Sequence, residues 1–295
     1  MGYSFMFVIF ITALSLLAFA ANSVLCRIAL GEGYIDPAGF TIIRLLSGSI
    51  ALYVILRGHQ LFQRSSQYAK LQNDNANKGS WLGSIFLFSY AVTFSYAYGY
   101  LDTGTGALIL FGSVQISMII YALITKQRLL MLEWTGLGLA CTGFVYLIYP
   151  NLTTPSLIGF LLMMLSGIAW AGYTLVGTKA TSPLVNTCYN FFRTMPFVVI
   201  LWFLTLSTTE YSYDGVLLAI LSGVVMSAIG YAIWYQALRY LTTTKAAVLQ
   251  LSVPVIATIG GVLFMNEAIT LRLLLATFVV LGGVMLVLLS KTNSL

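Results

Sequence analysis

The run LLLATFVVLGGVMLVLL, residues 273 to 289, decides the fold class. It carries no charge and does not alternate apolar with polar positions, so it reads as a helix through a hydrocarbon core and not as a barrel strand. Moving outward from it, similar blocks fill the chain. Of 295 residues, 59% are apolar and 7% charged, against about 25% charged in an ordinary soluble domain. A water-soluble fold of this size has too little polar surface to cover itself. Lipid admits only structures that satisfy every backbone N–H and C=O internally, and the block lengths select helices.

The blocks predict ten transmembrane helices, at about 4–25, 38–57, 81–100, 104–125, 133–149, 157–178, 184–206, 214–238, 244–264 and 270–289. Pro37, Pro150, Pro155 and Pro183 fall in the connections, where a missing N–H costs little. One connection is long and polar, at about 58–80, and carries His59, Arg64, Lys70, Asp74 and Lys78. Ala18, Phe19 and Ala20 form an A-x-A pattern, but no basic residue precedes the run and no soluble domain follows it, so it reads as the first span.

The net charge of +6 does not mark a nucleic-acid surface, because the basic residues punctuate the gaps between apolar blocks. They act as topology determinants. With the N-terminus in the cytoplasm, Arg57, Arg64, Lys70, Lys78, Lys126, Arg128, Lys179, Arg239, Lys245 and Lys291 lie inside, and only Arg27 and Arg272 lie outside. Both termini are then cytoplasmic, as in a multi-pass protein of a bacterial inner membrane. Cys26, Cys141 and Cys188 are odd in number and lack C-x-x-C spacing, so neither a disulfide framework nor a metal site is indicated, and no cofactor is expected.

Leu101–Tyr149 aligns with Leu241–Leu289 without a gap, matching Leu101 to Leu241, Thr103 to Thr243, Ala107 to Ala247 and Gly143 to Gly283. The turn YLDTGTGA (100–107) corresponds to YLTTTKAA (240–247), and Arg44 of GFTIIRL to Arg193 of CYNFFRT. Two five-helix halves follow, 1–150 and 151–295. An odd number of helices per repeat inserts the second half upside down. Inverted repeats of this kind hold a substrate site between the halves near the midplane, and rocking about it gives alternating access.

The stretch QLSVPVIATIGGVLFMNEAITLRLLLATFVVLGGVMLVLL (250–289) resembles the EamA-like, ten-helix branch of the drug/metabolite transporter superfamily, and the likeness runs over essentially the whole chain. That family has a proline in the ninth helix, a Gly-Glu or similar pair a dozen residues later, and a glycine-containing tenth helix. Pro254, Glu267, Gly282 and Gly283 match, with Asn266 where glycine is usual. The first half departs from the pattern: GSVQ (112–115) stands where a proline is common, and Lys126, Gln127 and Arg128 where the Gly-Glu pair would be. The resemblance implies an exporter or exchanger of small metabolites such as amino acids.

Arg44 and Arg193 are the leading candidates for binding or gating an anionic group such as a carboxylate, since a charge within a membrane helix costs at least about 2.5–3.5 kcal/mol and must face a cavity or partner. The bland alternative is a clamp on helix-end carbonyls or a snorkelling side chain. Glu267 has two open readings, proton coupling and capping of the next helix's N-terminus. Aromatic and amide side chains cluster in the first and third helices of each half, including Phe19, Asn22, Tyr90, Tyr96, Tyr98, Trp170, Tyr173, Tyr231 and Trp234. They suit the lining of a central ligand cavity, or, at helix ends, an interfacial belt. Gln115 and Gln250 either join helices or meet substrate, and Pro254, Gly260 and Gly261 are hinge candidates.

An enzyme is not expected. The only histidine, His59, lies in the polar loop, no aspartate lies mid-helix, and no G-x-x-x-x-G-K-[ST] loop is present. The expected function is secondary transport of a small metabolite across the bilayer, driven by protons or a counter-substrate, with a facilitative channel as the alternative.

Overall fold

The computed structural model describes residues 5–63, 78–125, 130–149, 155–177, 182–207, 210–238, 240–241 and 249–292. Most of the polar loop, Lys126 to Arg128, Pro150, Lys179, Arg239 and Lys245 lie outside the described residues. The described residues form helices throughout: α1 (Phe5–Gly31), α2 (Pro37–Gln63), α3 (Trp81–Tyr98), α4 (Thr103–Ile124), α5 (Met131–Ile148), α6 (Leu157–Gly177), α7 (Pro183–Arg193), α8 (Met195–Thr205), α9 (Tyr213–Leu221), a π-helix (Ser222–Ile229), α10 (Gly230–Leu238), α11 (Val253–Met265) and α12 (Leu271–Thr292). Among the described residues, six spans are long and apolar enough to cross a membrane. The outer surface is apolar as well, with Phe10, Leu17, Ile50, Val54 and Phe278 all exposed. The chain is an all-α, multi-pass integral membrane protein whose exterior matches lipid and not water.

The expected seventh and eighth spans are each interrupted. α7 and α8 meet at Thr194 because Pro196, in the first turn of α8, has no N–H to give the preceding turn. α9, the π-helix and α10 form one rod with a widened middle. The first helix runs six residues past its expected end, so Arg27 lies within it and not in a loop. Pro254 sits in the first turn of α11, after the turn at Leu251 and Ser252, where a missing N–H costs nothing.

Packing joins the front of the chain to the back. α3 packs on α6, and α1 packs on α9, the π-helix and α10. α4 packs on α6, and α1 on α11; α4 also crosses α11, α5 pairs with α12, and α2 lies against α7, α8 and the π-helix. Close approach is set by glycines. A Cβ on Gly223 would lie 2.1 Å from Ser47 Oγ and 2.4 Å from the Arg44 carbonyl, and one on Gly104 would lie 2.3 Å from Thr258 Oγ1. These two contacts hold α2 on the π-helix and α4 on α11, the small-residue packing that apolar helices need in lipid.

Gly223→Val is therefore expected to abolish monodisperse protein in fluorescence-detected size exclusion. Gly138→Ala, with nothing within 4 Å of its new Cβ, is expected to keep the elution profile and raise helix stability by about 0.5–1 kcal/mol.

Candidate functional site

Arg44 lies two turns into α2, which starts at Pro37 with the Asp36 carboxylate accepting from the Ala38 and Gly39 N–H groups. Its side chain leaves the α2 surface between α3 and the π-helix. Nε donates to Ser227 Oγ at 3.2 Å, and Nη2 donates to the Tyr90 hydroxyl at 3.1 Å. The guanidinium carbon stands 5.2 Å from the Tyr90 ring centre and 5.0 Å from that of Phe94. Arg44 is 2% exposed, and Nη1 meets no acceptor among the described residues. Neither ion pair found among them involves Arg44; both belong to Arg27. A buried cation held by hydroxyls and ring faces, with the Tyr231 hydroxyl and the Cys26 thiol also near it, is unusual, since such charges are ordinarily paired.

Tyr90 and Phe94 also line a small cavity of about 20 Å³, room for a water molecule, and Arg44 is not in its lining. α1 contributes Phe19, Asn22 and Ser23; α4 contributes Leu110 and Phe111; Trp170, Met226 and Tyr231 close it from α6, the π-helix and α10. The aromatic rings are in mutual contact, with centroids 4.7 Å apart for Tyr90 and Trp170 and 5.1 Å for Trp170 and Tyr231. Ser222 Oγ donates to Asn22 Oδ1 at 2.6 Å, which turns the Asn22 NH2 away from it as a donor. Both serines that fix polar groups here, Ser222 and Ser227, come from the π-helix. Its wide turn is the local device that brings them to α1 and α2, and such turns concentrate at functional sites.

One end of the bundle is tied by Glu267. Its carboxylate accepts from the Thr103 N–H at 3.0 and 2.9 Å, from Thr103 Oγ1 at 3.1 Å and from Arg27 Nε at 3.2 Å. Arg27 also donates to the Tyr98 carbonyl at 3.1 Å and pairs with Asp102 at 3.3 Å. The helix that Glu267 caps is α4, from the other half of the chain, and not the following α12, whose first turn is capped by the Thr270 hydroxyl. Asn266 ends α11 in the left-handed conformation, at φ 51°, which explains why asparagine replaces glycine there. Gly261 leaves room for the turned-back side chain: a Cβ there would lie 2.2 Å from Glu267 Oε2. Beside this cluster lies an open groove of about 310 Å³, bordered by Tyr100, Asp102, Ser156, Thr270 and Arg272.

The other end is tied by α7. Asn190 Oδ1 accepts from the Ser80 N–H at 2.8 Å, while its amide donates to Asn186 Oδ1 at 2.9 Å. Arg193 donates to the Lys78 carbonyl and lies over the Tyr189 ring. Gly79 turns the chain between them at φ +74°, where a Cβ would fall 2.4 Å from Asn190 Oδ1.

The structure thus separates the two arginines. Arg44 stands behind the cavity wall, and Arg193 holds a backbone carbonyl at the bundle end. Of the other expected residues, Asn22 and Trp170 line the cavity. Tyr173 lies 5.6 Å from Trp170, and Trp234 lies 5.6 Å from Phe19, each backing a lining ring. Tyr96 is half-buried on α3 and Gln115 is buried on α4; neither reaches the cavity, and Gln250 lies partly buried just before α11. Phe94, Phe111, Met226, Ser222 and Ser227 escaped the sequence reading, since nothing local distinguishes them from other apolar or small residues of a membrane helix. Arg27 carried a signal, a charge at a span end, but it read as topology, and Thr103 read only as a landmark matched to Thr243.

Residues 157–289 match the model of the EamA-like transporter family. The chain is 42% identical to an uncharacterized protein of Pseudomonas aeruginosa over 94% of its own length and 93% of that protein's. An uncharacterized transporter of Bacillus subtilis is 20% identical over 85% of this chain and 86% of its own. Another, from Archaeoglobus fulgidus, is 24% identical over 86% and 88%. One crystal structure superposes with a TM-score of 0.61 at 14% identity, covering 96% of this chain and 98% of that one, a likeness of fold.

Glu267→Ala removes a helix cap and the more enclosed of the two Arg27 pairs, so it is expected to cost about 2–4 kcal/mol and lower the melting temperature of the purified protein by several degrees. Asp102→Ala removes a carboxylate whose side chain is 58% exposed, and its cost is expected to stay under about 1 kcal/mol. Equal melting temperatures for the two variants would contradict the assignment of Glu267 as the tie.

Proposed function

The chain belongs to the EamA-like transporter family of the drug/metabolite transporter superfamily, and from that premise we propose that it is a secondary carrier moving a small amphipathic metabolite, an amino acid or related compound, by alternating access through the Arg44 cavity. The observation that carries this reading is the exchange pattern of the packing. Adding five to each span number turns the α3–α6 contact into that of the α9–α10 rod with α1, and α4–α6 into α11–α1, while α5–α12, α4–α11 and α2 with α7–α8 map onto themselves. Two inverted five-helix halves, 1–150 and 151–295, produce such a pattern, and a site enclosed between them is then reached from either side by rocking.

In this reading ten rods span a bacterial inner membrane with both termini cytoplasmic, in keeping with the positive-inside distribution of Lys and Arg. The Arg27–Glu267–Thr103 tie then closes the outer face and the groove beside it is the outer vestibule. Asn190 and Arg193 hold the inner face, so Arg193 acts as a gate clamp. The enclosed cavity between two tied ends corresponds to an occluded state. Gly260, whose added Cβ would fall 2.5 Å from Val24, and Gly261 let α11 tilt against α1 as the outer tie opens, with the break before Pro254 as its pivot. Export or exchange draws its energy from protons or a counter-substrate, since the sequence holds no P-loop.

Purified protein in liposomes, screened by counterflow over amino acids and related metabolites, is expected to show saturable uptake that a trans substrate accelerates. Asn22→Ala and Trp170→Ala are expected to raise the half-saturation concentration about tenfold or more, a loss of about 1.4 kcal/mol each, while eluting as folded protein. Flux that neither saturates nor responds to trans substrate would show a channel instead.

A further inference from the structure

We infer that the cavity selects amphipathic ligands of net charge −1, with one anionic group and a flat apolar body, over zwitterions, cations and neutral molecules; the inference rests on the carrier reading and narrows its substrate class from amino acids to related monoanions.

The charge argument starts with Arg44. Its guanidinium is buried, its Nη1 has no acceptor, and none of the residues lining the cavity is acidic. The enclosed region therefore holds one positive charge without a counter-charge. In a medium of low dielectric constant such a charge acts over several ångströms on anything placed in the cavity. A monoanion neutralises the region. A zwitterion leaves the net charge at +1 and brings an ammonium with no carboxylate to receive it. A cation raises the charge further.

Arg44 does not need to touch the ligand to act. Its Nη2 donates to the Tyr90 hydroxyl, which shares a hydrogen bond with the Tyr231 hydroxyl; whichever of the two donates to the other, one O–H of the pair is left to donate. Tyr90 lines the cavity. The charge is thus relayed to a polarised O–H at the wall, where a carboxylate or similar oxyanion accepts it. Asn22, also in the lining and oriented by Ser222, offers an amide N–H in the same sense. The ring faces of Phe19, Trp170 and Tyr231 supply the flat apolar contact beside these donors, and a ligand enters as those rings part, since the cavity as it stands is about 20 Å³.

The test compares four probes that share a phenyl ring: phenylacetate, phenylalanine, phenethylamine and phenylacetamide. Each is titrated by calorimetry into the purified full-length protein in detergent. Phenylacetate is expected to bind about tenfold or more tightly than any of the other three. Tyr90→Phe keeps the ring and removes the hydroxyl, and is expected to erase most of that preference with little change in phenylacetamide affinity; Arg44→Gln is expected to do the same where it folds. Phenylalanine or phenylacetamide binding as tightly as phenylacetate would overturn the inference, as would no detectable phenylacetate binding or a Tyr90→Phe variant with undiminished preference. Saturable counterflow of a zwitterionic or neutral solute alongside such a result would leave the carrier reading standing, whereas no counterflow of any solute would remove that reading too.

Discussion

A positive charge sealed inside an apolar bundle is the constraint around which the structure is arranged. Arg44 is buried, and no carboxylate pairs with it among the described residues, so its stabilisation comes from hydroxyls, ring faces and close backbone packing. Each needs a specific structural device. The Ser227 hydroxyl arrives because the rod turns as a π-helix there; the ring faces arrive from one side of α3; and the fit of α2 against the π-helix requires Gly223. Cation–π contacts supply roughly 1–2 kcal/mol each in a desolvated site, comparable to the insertion cost of the charge itself. The charge is thus affordable only in this assembled setting.

The same arrangement distributes the site over both halves of the chain. α1 and α3 bring Asn22, Tyr90 and Phe94, while α6 and the π-helix rod bring Trp170, Ser222 and Tyr231. Neither half can enclose the cavity alone. The ties at the two bundle ends also cross between distant parts of the chain: Glu267 reaches Thr103 and Arg27, and Asn190 reaches Ser80. In the proposed carrier cycle, a tie that joins residues 1–150 to residues 151–295 is one that relative motion of the two must break. That links the energetics of the ends to access at the centre.

Much of this was legible from residues 273–289 outward. Span positions followed from apolar block length, because the hydrocarbon thickness leaves little freedom, and most helix ends fall within a few residues of their expected places. The interruptions at Thr194 and Ser222–Ile229 were not legible; a π turn has no composition of its own, and Pro196 lies where a proline is tolerated either as a start or as a kink. Pairing Arg44 with Arg193 by landmark did not foresee their different environments, since one side chain is sealed behind Tyr90 and the other reaches the Lys78 carbonyl. Glu267 was readable as a cap, yet its target was not, because α4 is 164 positions away in sequence. Asn22 and Trp170 were found because an amide and an indole in mid-span demand a reason; Phe94 and Met226 were not, because in lipid they demand none.

Accessibility of the cavity floor addresses alternating access most directly. Asn22→Cys, placed in a background with Cys26, Cys141 and Cys188 replaced by alanine, can be challenged with a membrane-impermeant maleimide from either face of oriented vesicles. Alternating access requires labelling from each face in turn: opening the outer tie with Arg27→Gln should raise labelling from outside and lower it from inside, and Asn190→Ala should do the reverse. Simultaneous labelling from both faces, rising together in both variants, would mean a continuous pore and would contradict it.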